Sequence, residues 1–203
     1  MDKPKVIQQL PLFPLKTVLF PHGPLSLRVF EPRYLDMLSQ CEKTECGFGI
    51  FLISEGDEIG HAPEIFPIGT LAKVSYWEKR SDGLLGITVK GKQKLRLLDK
   101  WVSANQLSIA DVEVLPAELT LELPEQYVPM ARVLKNMIDE LQHPYLTLEK
   151  KYNDALWVGS RLSELLPLSA YTKQQLLELQ EPMSRLAMLY EEMLSQGLLS
   201  ESM

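Results

Sequence analysis

Cysteine and histidine are scarce in this chain: Cys41, Cys46, His22, His61 and His143 are all that 203 residues supply. The string Cys41-Glu-Lys-Thr-Glu-Cys46 is neither a disulfide framework nor a paired zinc spacing, and no second histidine stands at metal-ligand spacing. No structural disulfide and no metal site are expected, and a reducing compartment fits. Also missing is any apolar run near the roughly 20 residues that a membrane-spanning helix needs. The apolar stretch close to the N-terminus is broken by Pro4, Pro11, Pro14, Pro21 and Pro24 and leads to no small-residue cleavage site, so it does not read as a signal peptide. The expected location is the cytoplasm, with no membrane partner.

Catalytic signatures are missing too. A phosphate-binding loop aims backbone N–H groups from a glycine-rich turn at phosphates, then needs a lysine and a hydroxyl at the start of a helix. Gly86-Ile-Thr-Val-Lys-Gly91-Lys92-Gln93 has all but the hydroxyl. Ile87 and Val89 alternate with polar residues as a strand would, and another alternating run follows, so a β-hairpin turn is expected here. There is no Gly-x-Ser-x-Gly elbow, and Ser160 falls within a predicted helix. The carboxylate pairs Asp57/Glu58 and Glu191/Glu192 sit in charged, surface-like surroundings. No catalytic residue and no cofactor is expected, and the chain does not read as an enzyme.

What is present divides into two grammars. Nine of the 11 glycines and nine of the 14 prolines precede Ala117, amid short alternating or apolar runs bounded by turn residues. Strands are expected at Leu10 to Phe13, Leu25 to Phe30, Gly49 to Ile53, Thr70 to Trp77, Leu84 to Val89, Lys94 to Leu98 and Leu107 to Leu115, forming a small closed or nearly closed β structure. One helix interrupts them: Glu31-Pro32-Arg33-Tyr34 puts proline at a first helical position, and Tyr34, Leu35, Leu38 and Cys41 follow at helical spacing. Cys41 then reads as a small core residue.

Past the acidic, proline-bounded stretch from Pro116 to Pro124, the one linker candidate, the period lengthens. Tyr127, Met130, Leu134, Met137, Ile138 and Leu141 recur at three and four. A second helix is expected over about Thr147 to Leu166 with Thr147 as its N-cap, weakly capped because Lys150 stands where a capping box wants an acid. A third is capped by Ser169 or Thr172, and Pro182 opens a fourth that Gly197 ends. The expected class is α+β, with a β domain over residues 1–117 and a helical bundle over 118–203 docked on it. The net charge of -6 belongs to the second part: residues 1–117 hold 14 acidic and 14 basic side chains, residues 118–203 hold 13 and 7. Such a balance disfavours a protein that binds mainly by neutralising phosphates.

Lys90, Lys92, Lys94 and Arg96 recur every second residue and could share one strand face. One reading is a solvated face that discourages edge-to-edge aggregation; the other is an anion or nucleic-acid contact. No aromatic residues interleave with the series to stack bases.

Leu10-Pro-Leu-Phe-Pro-Leu15, Val18-Leu-Phe-Pro21 and Leu25-x-Leu-x-Val-Phe-Glu-Pro-Arg-Tyr34 resemble the start of the N-terminal domain of Lon proteases. The similarity runs on through Phe48-Gly-Ile50, Ile68-Gly-Thr-Leu-Ala-Lys-Val74, Gly86 to Leu98 and Asp111-Val-Glu-Val-Leu115, then through Leu162 to Leu168, Lys173 to Glu178 and Arg185-Leu186. It implies a PUA-like β-barrel with one inserted helix followed by a helical bundle, in a free-standing member whose ATPase and Ser-Lys peptidase modules would lie beyond Met203. It implies binding of unfolded polypeptide or of a partner protein, and it carries no catalytic residue onto this chain. An RNA-binding protein using the PUA-like barrel is the alternative. Glu31 and Arg33 read either as substrate contacts or as charges fastening a strand to a helix start. The aromatic set Phe20, Phe30, Tyr34, Tyr76, Trp77 and Trp101 reads mainly as core. Within it Tyr76, Trp77 and Trp101, next to turns and charged residues, are the candidate polypeptide-binding anchors.

Overall fold

Side chains that alternate in and out along an extended chain bury one face, and the clearest case is Ser108–Val114, where Ser108, Ala110, Val112 and Val114 are buried while their neighbours are half-exposed. The structure, a computed structural model, describes residues 4–80 and 83–199. It separates into two units, Met1–Ala117 and Glu118–Met203.

The first unit holds β1 (Lys5–Leu15), β2 (Pro24–Val29), α1 (Pro32–Thr44), β3 (Phe48–Glu55), β4 (Glu64–Lys79), β5 (Leu85–Val102) and β6 (Ser108–Val114). The sheet order is β2-β5-β4-β3-β1-β6, and β6 also pairs with β5. Five strands therefore close on themselves, with β2 attached to the first half of β5 outside the ring. All pairings are antiparallel except β1 with β3, which α1 makes possible by carrying the chain back between them. β1 is buried on both faces: Leu10 and Leu12 join Phe51, Leu95, Val112 and Val114 on one side, while Phe13 and Leu15 join Tyr34, Leu38, Phe48, Ile50 and Val89 on the other. A strand covered on both faces reads as a continuous apolar run, which is what Leu10 to Leu15 is.

The expected hairpin turn at Gly86–Gln93 is not there. β5 runs unbroken through it, and the connection from β4 lies across residues 80–84, where the Arg80 N–H donates to the Leu84 carbonyl and Gly83 takes a positive φ of 81°. Gly91 does not mark a turn; it marks a close approach. A Cβ there would overlap the carbonyl of Phe20, while the Gly91 N–H donates to Gly23 O and its carbonyl accepts from His22 N–H. At this point β5 takes one extra residue against β4, the partners stepping from Ala72↔Gly91 to Thr70↔Lys94. Such a bulge changes which side successive residues face.

α1 begins with Pro32 at its first position, and Tyr34, Leu38 and Cys41 are buried as expected; Leu35 is exposed, and Met37 takes its place in the core. In the second unit, α2 (Val128–Asp139), α3 (Ala155–Leu165), α4 (Ala170–Glu178) and α5 (Pro182–Ser195) bury Met130, Leu134, Ile138, Val158, Leu162, Leu176, Leu186 and Leu189. The helix expected from Thr147 starts eight residues later. Thr147 closes a short 3-10 turn, and Asp154 is the cap, its carboxylate accepting from Leu156 N (2.9 Å) and Trp157 N (3.3 Å). The chain before it is held extended by pairing with the supposed linker: Leu123 N–H donates to Asn153 O and Ala155 N–H to Leu121 O. Most of that acidic stretch belongs to the helical unit itself, where Glu118 is buried against Arg185, both carboxylate oxygens 2.8 Å from the guanidinium. Ser169 caps α4, and Gly197, with φ 69°, ends α5 as expected.

Candidate functional site

β2 leads directly into the start of α1, and this junction is built around one buried cation. Arg33 is 6% exposed. Its guanidinium pairs with Glu31 (3.0 Å), donates to the carbonyls of Gln106 (2.7 Å) and Glu58 (3.3 Å), and lies 4.7 Å from the centre of the Tyr34 ring. The Tyr34 ring in turn stacks on Phe13, centroids 4.0 Å apart. Glu31 and Arg33 thus tie two loops to the helix start, and Arg33 is a structural cation. Burial pushes the Tyr34 phenol up to about 12, with Arg33 opposing the shift.

Against this junction lies a cavity of about 280 Å³, lined by Phe13 and Leu15 of β1, residues 26–31, Tyr34, Glu58 and Ile59. Phe30 and Ile59, at its mouth, are 49% and 63% exposed. The core position expected for Phe30 is not what the structure shows. The alternation of β2 forbids that: Leu25, Leu27 and Val29 face inward, so Ser26, Arg28 and Phe30 fall outward. The spacing Leu25-x-Leu27-x-Val29 carries that signal, and it outweighs the general preference of phenylalanine for the interior.

The anchors singled out from sequence do not form one patch. Tyr76 pairs with Thr88 and Trp77 with Ile87, so the two residues lie on opposite sides of β4; Trp101, opposite Ile109, is at the far end of β5. All three are partly exposed, Tyr76 most. Through β5, Trp77 shares a cross-strand row with Ile87 and Leu27, and Leu27 also lines the cavity.

The basic series does not share a face. Lys90, Lys92 and Arg96 are exposed, but the bulge after Gly91 turns Lys94 inward, to 3% exposure, beside buried Leu95. Arg96 is held by Glu113 at 2.8 Å on the neighbouring strand. At the other end of α1, Cys41 is buried and its Sγ lies 3.6 Å from the Gly47 carbonyl, while Cys46 is exposed. Burial, aided by the neighbouring Cys46 thiol, pushes the Cys41 thiol up to about 12.

A wider depression of about 670 Å³ lies in the helical unit between α2 and the segments around Leu123 and Tyr152, with Glu122, Glu125, Arg132 and Lys135 on its walls. Among the described residues no group of three or more His, Cys, Asp or Glu side chains is arranged to hold a metal, and no helix is long and apolar enough to cross a membrane.

A closed mixed barrel with one inserted helix, followed by a bundle of short helices, defines an α+β protein of the Lon N-terminal, PUA-like type. The chain belongs to the family described as the ATP-dependent protease La (LON) substrate-binding domain, whose model matches residues 9–195. It is similar to the crystal structure of a Lon N-terminal domain protein from Xanthomonas campestris, with 33% identity, a TM-score of 0.73, and coverage of 91% of this chain and 98% of that one. The N-terminal domain of a Mycobacterium avium complex Lon protease shares the fold, at 16% identity and a TM-score of 0.62, covering 92% and 97% of the two chains. Lon protease 2 of Herpetosiphon aurantiacus is 26% identical over 191 residues, 88% of this chain and 23% of that protein. Lon protease 2 of Desulfotalea psychrophila is 28% identical over 196 residues, 89% and 24%. The chain therefore spans about a quarter of the length of these curated relatives.

Proposed function

We propose that this protein is a non-catalytic polypeptide-binding module that holds unfolded segments or a partner protein without turning them over, as an adaptor or accessory factor in cytoplasmic protein quality control. The observation that carries the reading is the family match over residues 9–195, which is to a substrate-binding domain and not to a peptidase. A protein partner is favoured over nucleic acid by the net charge of -6 and by the broken basic series, in which Lys94 is buried and Arg96 is paired. Exposed apolar side chains at Phe30, Ile59, Tyr76 and Trp77 offer the kind of surface that such a module needs.

The test is fluorescence anisotropy of a labelled, permanently unfolded polypeptide titrated with the protein, followed by a gel of the same sample. Saturable binding with the polypeptide intact is expected. No binding at tens of micromolar, a free energy of about 6 kcal/mol, refutes the reading, and cleavage of the polypeptide refutes its non-catalytic part. Trp77→Ala and Trp101→Ala ask whether these side chains act as anchors: unchanged affinity in both folded variants excludes them.

A further inference from the structure

The cavity beside α1 lies along the edge of a strand. Consecutive side chains of a strand point to opposite faces, so a cavity on one face would meet every second residue. This one is lined by Ser26, Leu27, Arg28 and Val29 in unbroken succession, so its wall is the backbone rim of β2. That rim is a free edge, since β2 pairs only with β5 among the described strands.

Which backbone groups face outward follows from the bonds at the start of β2. The Gly91 N–H donates to Gly23 O (2.9 Å) and Gly91 O accepts from His22 N–H (3.0 Å), so Gly91 turns both its groups toward this segment. Antiparallel alternation then turns Leu25, Leu27 and Val29 toward their β5 partners Val89, Ile87 and Leu85, and leaves the N–H and C=O of Ser26 and Arg28 pointing away. The Ser75 hydroxyl, donating to the Thr88 carbonyl at 3.0 Å from the β4 side, fits the same alternation. No other backbone hydrogen bond holds Ser26 or Arg28 among the described residues.

The geometry points to β2 as a docking edge for an extended polypeptide segment, which adds a strand to Ser26 and Arg28 and places an apolar side chain in the cavity between Phe13, Tyr34 and Phe30. This deepens the polypeptide-binding reading and rests on it. The unpaired rim of β2 sets the occupant's conformation: an extended segment pairs its own backbone with the rim and needs room in the cavity of about 280 Å³ only for alternate side chains. Charge adds a preference. Glu31 is bound by Arg33, and Glu58 accepts from the Lys16 N–H at 2.6 Å, while Arg28 has no ion pair among the described residues. An acidic residue flanking the apolar one therefore fits best.

The experiment uses the whole protein and three probes: the unfolded polypeptide, a short labelled peptide alternating leucine and threonine with one aspartate, and that peptide N-methylated at alternate amides. Ser26→Pro removes an outward N–H while leaving the bonds of Leu25 and Leu27 to β5, and is expected to weaken binding of both unmethylated probes at least tenfold at an unchanged urea midpoint. Phe30→Asp, on the exposed mouth, is expected to do the same, and it carries the test should the proline variant not fold. N-methylation is expected to abolish peptide binding, and Arg28→Glu to shift preference from an aspartate to a lysine peptide. Binding of the unfolded polypeptide that survives Ser26→Pro and Phe30→Asp overturns the docking edge and leaves the polypeptide-binding reading standing. So does sedimentation showing that a second copy already covers β2. No binding of any probe to the unaltered protein overturns both.

Discussion

Replacing Glu118 by alanine is expected to be among the most damaging single changes in the helical unit, and its size follows from the surroundings of Arg185. That guanidinium is 1% exposed, and its hydrogen bonds include two at 2.8 Å to the Glu118 carboxylate, one at 2.9 Å to the Leu176 carbonyl and one at 3.0 Å to the Leu179 carbonyl. Removing the carboxylate leaves a buried charge facing two carbonyls, with no counter-charge in that pair. Breaking one side of such a pair costs about 3–5 kcal/mol, whereas replacing both sides with apolar groups of similar volume is often neutral or stabilising. Glu118→Ala is thus expected to lower stability by about 3–5 kcal/mol, and Glu118→Ala combined with Arg185→Met to recover most of it. Urea unfolding followed by helical ellipticity and by the fluorescence of buried Trp157 measures both. A loss under about 1 kcal/mol, the worth of an exposed pair, or a double variant as unstable as the sum of its parts, would show that this ion pair does not organise the unit.

Other outcomes follow from particular contacts. Asp154→Ala removes the cap of α3 and is expected to cost about 1 kcal/mol; an unchanged urea midpoint would return the helix start to the Thr147 region. Gly91→Ala sets a Cβ against the Phe20 carbonyl, a backbone group that cannot swing aside, and is expected to cost about 3 kcal/mol, read by thermal melting of the purified variant. In native protein one thiol, Cys46, is expected to react promptly with a thiol reagent and Cys41 to react only after unfolding; two prompt thiols would contradict the burial of Cys41. Because Tyr34 and Cys41 are both raised to about 12 from 10.0 and 9.0, their stabilising contributions are complete below those unfolded values and are lost as pH rises toward about 12. Alkaline melting in that window is expected to be blunted in Cys41→Ala, and an identical pH profile would remove Cys41 from the account.

The sequence made some of this architecture plain because local and global preferences agree there. Pro32 and Pro182 open helices that need no N–H at that position, and Ser169 caps α4 through the Thr172 N–H. The switch from period two to period 3.6 divides strands from helices. Where prediction failed, a tertiary contact outweighed the local signal. Gly91 looked like a turn because glycine is common in turns, but its missing Cβ admits the Phe20 carbonyl. The single residue that β5 gains there also moved Lys94 into the interior, an outcome that counting by twos along the sequence cannot anticipate. Thr147 lost the helix start to Asp154 because Leu121 and Leu123 bind the chain around Asn153 in extended form. As for the site, its inward residues were legible as core, whereas the free rim of β2 is a property of strand order and has no local signature.

Lys5 at the beginning of β1 is the partner of Val114 at the end of β6. The barrel's two ends are therefore next-door neighbours, and the whole ring is strung between them like a bead whose thread goes in and comes out at one point. Joining those ends and reopening the chain across residues 80–84 would give a permuted barrel that keeps every strand pairing, and a load applied to both ends would unzip the antiparallel β1–β6 seam from its Lys5–Val114 end.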